Sequence, residues 1–263
     1  FDIEFWKSIK GFMEEDEARR LYSLALQAAE IAESTETAVS IASATTAAKT
    51  PLLEIGSYCG KSAYVIGSAC KAKNSILYSI DHHRGSEEQQ PGEEYFDPEL
   101  LDTGPGNTAT KRIDTFPSFR KPIESAGLEQ TVVPIVAPSD IAGRMWQTQL
   151  AMIFIDGGHS FEAAYTDYCT WTPHLAPGGF LVFHDIFLDP EKGGQAPRQV
   201  YETAINSGKF ESLEMTGTLG VLTCSRIFPS RKAAKSAKNN KTSRLQFSWR
   251  FLRLSERINT FRA

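Results

Sequence analysis

The chain has 263 residues, is 41% hydrophobic and 11% aromatic, and carries a formal net charge of −4. That length suits one α/β domain with additions, and no apolar run approaches the roughly 20 residues of a membrane span. Four scattered cysteines (Cys59, Cys70, Cys169, Cys224) form no C-x-x-C pair, which argues against a thiolate metal site or a dense disulfide framework and predicts reduced thiols in a cytoplasmic protein.

The chain opens at Phe1 rather than Met, which leaves room for an upstream segment. Residues 13–33 predict an amphipathic helix: "EEDEARRLYSLALQAAEIA" begins with acids that suit the positive end of the helix dipole and continues with good helix formers. Residues 34–50 are Ser/Thr/Ala-rich and read as a linker or a weak helix, so 1–50 is an N-terminal helical segment and linker. From 51 onward short apolar runs alternate with helical patterns. Strands are predicted at 52–56, 76–80, 131–136, 150–155, 179–184, 210–215 and 219–224. Helices are predicted at 61–71, 108–126, 139–146, 159–172 and 196–207. Apolar strands separated by helices mean a mainly parallel sheet covered on both faces. The acidic, turn-rich stretch 84–107 follows the second strand and reads as a lid loop at the carboxyl edge of the sheet, where ligands bind in such folds.

Residues 226–263 are different. They hold eleven of the 28 basic residues and one of the 32 acids, so the body 1–225 is −14 and the tail +10. Within the tail, Phe247, Phe251, Leu254, Ile258 and Phe261 recur at helical spacing. Three readings stand: docking on the chain's own domain or a second subunit, which is favoured, contact with an anionic membrane surface, or contact with an acidic partner, nucleic acid included. A nucleic-acid target is not expected for the body, because its charge repels phosphates.

The stretch "LLEIGSYCGKSAY" (52–64) carries most of the chemistry. Gly56 and Gly60 sit where the first strand turns into a helix, and glycine there lets backbone approach a ligand while the new helix offers N–H groups to an anion. The spacing lacks the middle glycine of the dinucleotide fingerprint and fits no Walker pattern, which disfavours a nicotinamide enzyme. Glu54 inside an apolar strand costs several kcal/mol to bury unless compensated, and a cationic ligand group supplies that compensation. Asp81 ends the second strand, where an acid accepts ribose hydroxyls. A ligand with a ribose, an anionic group and a cationic end is required. S-adenosylmethionine (SAM) has all three. A non-catalytic nucleotide-binding module, with the tail recruiting a partner, is the rival reading.

These residues, with "ILYSIDHH" (76–83), resemble the first two motifs of class I SAM-dependent methyltransferases. The catechol and caffeoyl-CoA O-methyltransferase type and the family of macrocin-type sugar O-methyltransferases match best, over roughly 50–225. The resemblance implies a Rossmann-like, doubly wound seven-stranded domain at 51–225 that methylates a hydroxyl of a small molecule, a sugar or a phenol. It also implies that Glu54 meets the methionine amino group. Gly56, Ser57, Tyr58, Gly60 and Ser62 would line the methionine end, Asp81 would hold the ribose with His82 or His83 beside the adenosine, and Ser139 in "VAPSD" would reach the adenine with Asp140.

At the chemistry end, "FIDGGHSF" and "FHDIF" bring Asp156, His159, His184 and Asp185 to adjacent strand ends. In the resembling enzymes a divalent metal is held by an acid at the fourth strand end and an acid–amide pair at the fifth. Asp156 and Asp185 match the acids. Ile186 stands in the amide's place in one register, and the His184/Asp185 pair serves in the other. Oxygen ligands favour magnesium or calcium, whereas histidine shifts the choice toward manganese, zinc or iron. His159 stands in place of the family's basic lysine, as base or as metal ligand; packing at the helix start is its structural alternative.

Overall fold

Alternation along the strands divides the core. The strands are β1 (Leu52–Ile55), β2 (Leu77–Ile80), β3 (Val132–Ile135), β4 (Leu150–Ile155), β5 (Leu175–Phe183), β6 (Phe210–Ser212) and β7 (Gly220–Cys224). Side chains on a strand point to opposite faces in turn. Leu52, Met152 and Phe154 therefore enter one apolar cluster, and Leu53, Ile153 and Ile155 enter another. Both faces need cover, and helices supply it. One face receives α1 (Ile3–Ser8), α2 (Glu15–Ala28), α3 (Lys61–Lys73) and α4 (Phe116–Ser125). The other receives α6 (Phe161–Trp171) and α7 (Ala196–Asn206), with the short α5 (Ser139–Gly143) packed against α6.

The computed structural model describes residues 1–31, 49–102 and 112–225. Sheet order is β3-β2-β1-β4-β5-β7-β6; β7 runs antiparallel to both neighbours and the other pairings are parallel. The order reverses between β1 and β4, and the crevice at the carboxyl ends there is where ligands bind in open α/β sheets.

All seven strands form, β4 with the predicted bounds and the others with shifted ones. β5 starts at Leu175, four residues before the predicted 179, and its pairing with β4 is irregular between Leu150 and Met152. Pro177, Gly178 and Gly179 mimic a turn in the sequence while lying inside the strand. The helix predicted at 108–126 begins at Phe116, because Pro117 suits a first turn and Ile113 is taken by a bridge to Leu101. Residues 108–111 lie outside the described residues, as do most of the 34–50 linker, the end of the 84–107 loop and the basic tail. α1 was not predicted. Its six residues are too few for a period, and Asp2 caps it by accepting from the Glu4 and Phe5 amides.

In α2, Leu21, Leu24, Ala25 and Ala28 form the buried stripe against α3 and the sheet. Leu21 is wholly buried. Leu21→Ala is expected to cost about 2–5 kcal/mol in urea unfolding, because a core methyl cluster is replaced by a cavity. A loss below about 1 kcal/mol, a surface-like value, would mean that α2 is not part of the core.

Candidate active site

Glu54 faces the α3 side of the sheet and pairs in register with Ser79 of β2. Its carboxyl is fully buried, and Ser79 Oγ donates to Oε1 at 2.6 Å. Oε2 has no hydrogen-bond partner among the described residues, and neither has the buried Ser57 Oγ two residues past the strand. Burial pushes the Glu54 pKa up to about 8, against the hydroxyls of Ser79 and Ser62 that favour its charge. Unsatisfied buried polar atoms are uncommon in folded proteins. Two of them belong to the end of β1 and the turn that follows it, at the switch point.

Gly56 turns the chain away from β1 with φ +84°, and a Cβ there would lie 2.0 Å from the Asp156 carbonyl oxygen. Only glycine lets the first turn lie this close to the end of β4. Tyr58 follows with φ 44°, and Gly60 leads into α3, whose first turn contains the buried Ser62. Asp81 buttresses this turn. Its Oδ2 accepts from the Ser57 and Tyr58 amides at 3.0 and 2.8 Å, and Oδ1 accepts from His83 N at 2.7 Å. One acceptor direction on Oδ1 is then left for a ribose hydroxyl. The neighbouring histidines part company. His82 is exposed and accepts from the Arg84 amide, whereas His83 is buried with Nδ1 2.7 Å from Thr115 Oγ1. Ser139 opens α5, and its hydroxyl accepts from Trp171 Nε1 at 2.7 Å. It also lowers the pKa of the buried Asp167, which desolvation nonetheless raises to about 6.

At the ends of β4 and β5 the predicted acids and imidazoles do meet. His184 Nδ1 lies 3.2 Å from Asp156 Oδ1 and 3.5 Å from Asp185 Oδ2, and Asp185 Oδ2 lies 3.0 Å from His159 Nε2. The network extends to two acids that carry no motif. Glu17 of α2 meets His184 Nε2 at 3.1 Å, and Glu88 of the acidic loop meets His159 Nδ1 at 3.0 Å. Two imidazoles are thus shared among four carboxylates. Burial opposes charge on His184, but Asp156, Asp185 and Glu17 overcome it and hold the ring protonated. Hydrogen bonding to Asp185 lifts the His159 pKa to about 9 against its burial. Burial likewise works against Asp185, and the two imidazoles outweigh it and keep that carboxyl well below the usual range.

Ligand atoms of Asp156, His184 and Asp185 lie within 4.8 Å of one another. Two carboxylates and an imidazole are a donor set that a divalent cation accepts, and an outer carboxylate on the far nitrogen of the histidine is usual at such sites. The residues present fit the group.

The mouth is framed by the N-terminal segment and the acidic loop. Lys10 clasps Asp97 and Glu99, with Glu99 at 2.9 Å. Phe12 lies 5.9 Å from the Tyr58 ring and 5.5 Å from Tyr95, and both Phe12 and Tyr95 are exposed. Lys61 donates to the Ile9 carbonyl and sits 4.4 Å over the Trp6 ring, which fixes the segment against the start of α3.

Glu54 makes a stability prediction. Its folded pKa is raised above the ordinary 4.5, so it costs nothing below that value and progressively more as pH rises toward 8. Glu54→Gln removes the titration. The ligand-free variant is expected to equal the parent near pH 4 and to exceed it by about 1–3 kcal/mol at pH 7. Equal stability in urea melts at both pH values would show that the carboxyl is solvated.

The family model described as "Methyltransferase domain" matches residues 53–186, half of the chain. Three solved structures share the fold. The O-methyltransferase NovP aligns with a TM-score of 0.54 at 11% identity, covering 80% of each chain. The Bacillus cereus O-methyltransferase in complex with SAH aligns at 0.51 and 14% identity, covering 81% of this chain and 82% of that one. TomG from Streptomyces achromogenes, an O-methyltransferase involved in tomaymycin synthesis and solved with SAM, aligns at 0.50 and 17% identity over 81% and 82%. With the matched half running from the first strand past the Asp156–His184–Asp185 cluster, this chain belongs to the methyltransferase-domain family.

Proposed function

We propose that the protein is a SAM-dependent O-methyltransferase acting on a hydroxyl of a small molecule, a sugar or a phenol. The observation that carries the reading is Glu54, buried at the switch point with Oε2 unpartnered among the described residues, as is Ser57 Oγ in the turn that follows the strand. An ammonium group satisfies both the lone pairs and the charge, and a hydroxyl at Ser57 suits the carboxylate of the same amino acid. The SAM and SAH in the Bacillus cereus and TomG structures support this choice of donor. The exposed rings of Phe12 and Tyr95 at the mouth support a flat acceptor, a phenol ring or the C–H face of a sugar. The four cysteines are free, which supports the cytoplasmic reading.

SAM, when bound, supplies a methyl on a sulfonium: the acceptor oxygen forms the new C–O bond as the C–S bond breaks, and the electron pair leaves with sulfur. The chain's own contribution is to align and to move a proton. Glu54, Ser57 and the first turn of α3 hold the amino-acid end, and Asp81 fixes the turn they stand on. A divalent cation, held by Asp156, Asp185 and His184, would bind the acceptor oxygens and lower the pKa of the reacting hydroxyl. His159 is the proton acceptor for that hydroxyl. With its pKa near 9 in the ligand-free protein it holds a proton at neutral pH, because it is hydrogen-bonded to Asp185 with Asp156 and Glu88 nearby. A cation held in part by Asp185 would weaken that carboxylate's pull on the proton and so free the ring to act as base.

Two expectations test the scheme. Donor binding needs Glu54 ionised, and its pKa is about 8 when free, so affinity should strengthen from pH 6 to pH 8. Calorimetry at pH 7 in buffers of different ionisation enthalpy should find release of about one proton per SAM bound. No heat with SAM or SAH would end the proposal, and binding without proton release would remove Glu54 from the amino group. His159→Ala should lower single-turnover methylation about 10²–10⁴-fold while leaving SAM affinity in place. Undiminished turnover would refute the base.

A further inference from the structure

Glu17 belongs to no motif, yet it is more completely engaged than any acid at the site. Its side chain is 3% exposed. Oε1 accepts from Thr218 N at 2.6 Å and from Thr218 Oγ1 at 2.9 Å. Oε2 accepts from Glu14 N at 3.0 Å and faces His184 Nε2 at 3.1 Å. The β6–β7 turn is shaped around this carboxylate: Gly217 has φ +56°, and a Cβ there would lie 2.5 Å from Glu17 Oε1. Three separate parts of the chain, α2, the hairpin turn and the end of β5, converge on one side chain.

We propose that Glu17 is a positioning residue for the cation site, fixing His184 with Nε2–H donated to Oε2 so that Nδ1 faces the gap between Asp156 and Asp185. A carboxylate held by backbone amides on both oxygens is an acceptor only, so Nε2 must carry hydrogen. That assignment leaves Nδ1 as the nitrogen for a ligand, and Nδ1 is the one beside Asp156 Oδ1 and Asp185 Oδ2. The other neutral tautomer would set the Nε2 lone pair against Oε2, and a ring flip would put carbons where the two nitrogens stand. The hydrogen bond to Glu17 therefore selects both tautomer and ring orientation, as outer carboxylates do for ligating histidines. The inference rests on the divalent-cation reading above.

Manganese binding to the full chain, followed by the loss of its free-ion resonance signal, tests it. Glu17→Gln retains the shape but turns an amide NH₂ toward a backbone N–H, whichever carboxylate oxygen it replaces. It is expected to weaken Mn²⁺ about 10–100-fold, with SAM affinity unchanged within about twofold, because the donor's amino-acid end lies at Glu54 and not at the cation. SAM binding also certifies that the variant is folded. In the His184→Ala background Glu17→Gln should cause no further loss of Mn²⁺ affinity. If the parent binds Mn²⁺ and Glu17→Gln binds it equally well, or if the two losses simply add, Glu17 only ties helix to hairpin and the proposal falls. If the parent binds no Mn²⁺, the cation reading itself fails and takes the proposal with it. Should Glu17→Gln not fold, Thr218→Val takes its place by removing one anchor of the carboxylate. A smaller loss of Mn²⁺ affinity is expected there, and an unchanged one counts against the proposal.

Discussion

Charge buried at the carboxyl edge of the sheet governs the rest of this structure. Glu17, Asp156 and Asp185 enclose His184, and Asp185 shares His159 with Glu88. Isolated carboxylates in such a place would cost several kcal/mol each. Interleaving with imidazoles keeps Glu17 and Asp185 ionised, whereas burial still raises the Asp156 pKa, and hydrogen bonds from the Thr218 and Glu14 amides take up remaining acceptor positions on Glu17. Glu54 is the exception, since its nearest companions are hydroxyls and its charge is suppressed until something cationic arrives. One edge therefore holds a partly compensated acidic cluster beside a buried carboxyl with one oxygen unpartnered among the described residues.

Backbone strain gathers at the same edge. Tyr58, His83 and Asp185 all have positive φ, whereas the other such non-glycine residue among the described residues, Asn74, ends a helix. Each sits just past a strand of the parallel sheet, where the chain must turn sharply to aim a side chain or an amide inward. Asp81 holds the first two of these turns through its three backbone hydrogen bonds. Strain of this kind costs roughly 1–3 kcal/mol per residue and persists where the surroundings over-determine it. Here the surroundings are the cores on either side of the sheet.

The parallel sheet was legible because Leu52–Ile55 and Leu150–Ile155 are nearly continuous apolar runs, and a strand covered on both faces has that signature. The acids and histidines at strand ends were legible for a related reason: an ionisable residue directly after such a run has one edge to sit on. Glu17 was not. It lies among Glu14, Glu15 and Asp16, and a helix dipole explains all four equally well until tertiary contact singles one out. Glu88 was hidden in the same way within an acidic loop, and its partnership with His159 spans 71 residues. Pairings of that range leave no local period. Asp81 was read as a ribose acid, and its buttressing of the glycine turn depends on backbone direction that composition does not encode.

The matched segment, 53–186, begins after Glu17 and ends before Thr218. Every recognisable motif lies inside it, but the carboxylate that orients His184 and the hydroxyl that steadies that carboxylate lie outside, on opposite flanks. Excising the chain at those boundaries would deliver a fragment with all the signature residues and an untethered imidazole. The enzyme's minimal working unit is therefore set by a contact between its two ends, not by the stretch that carries its signature.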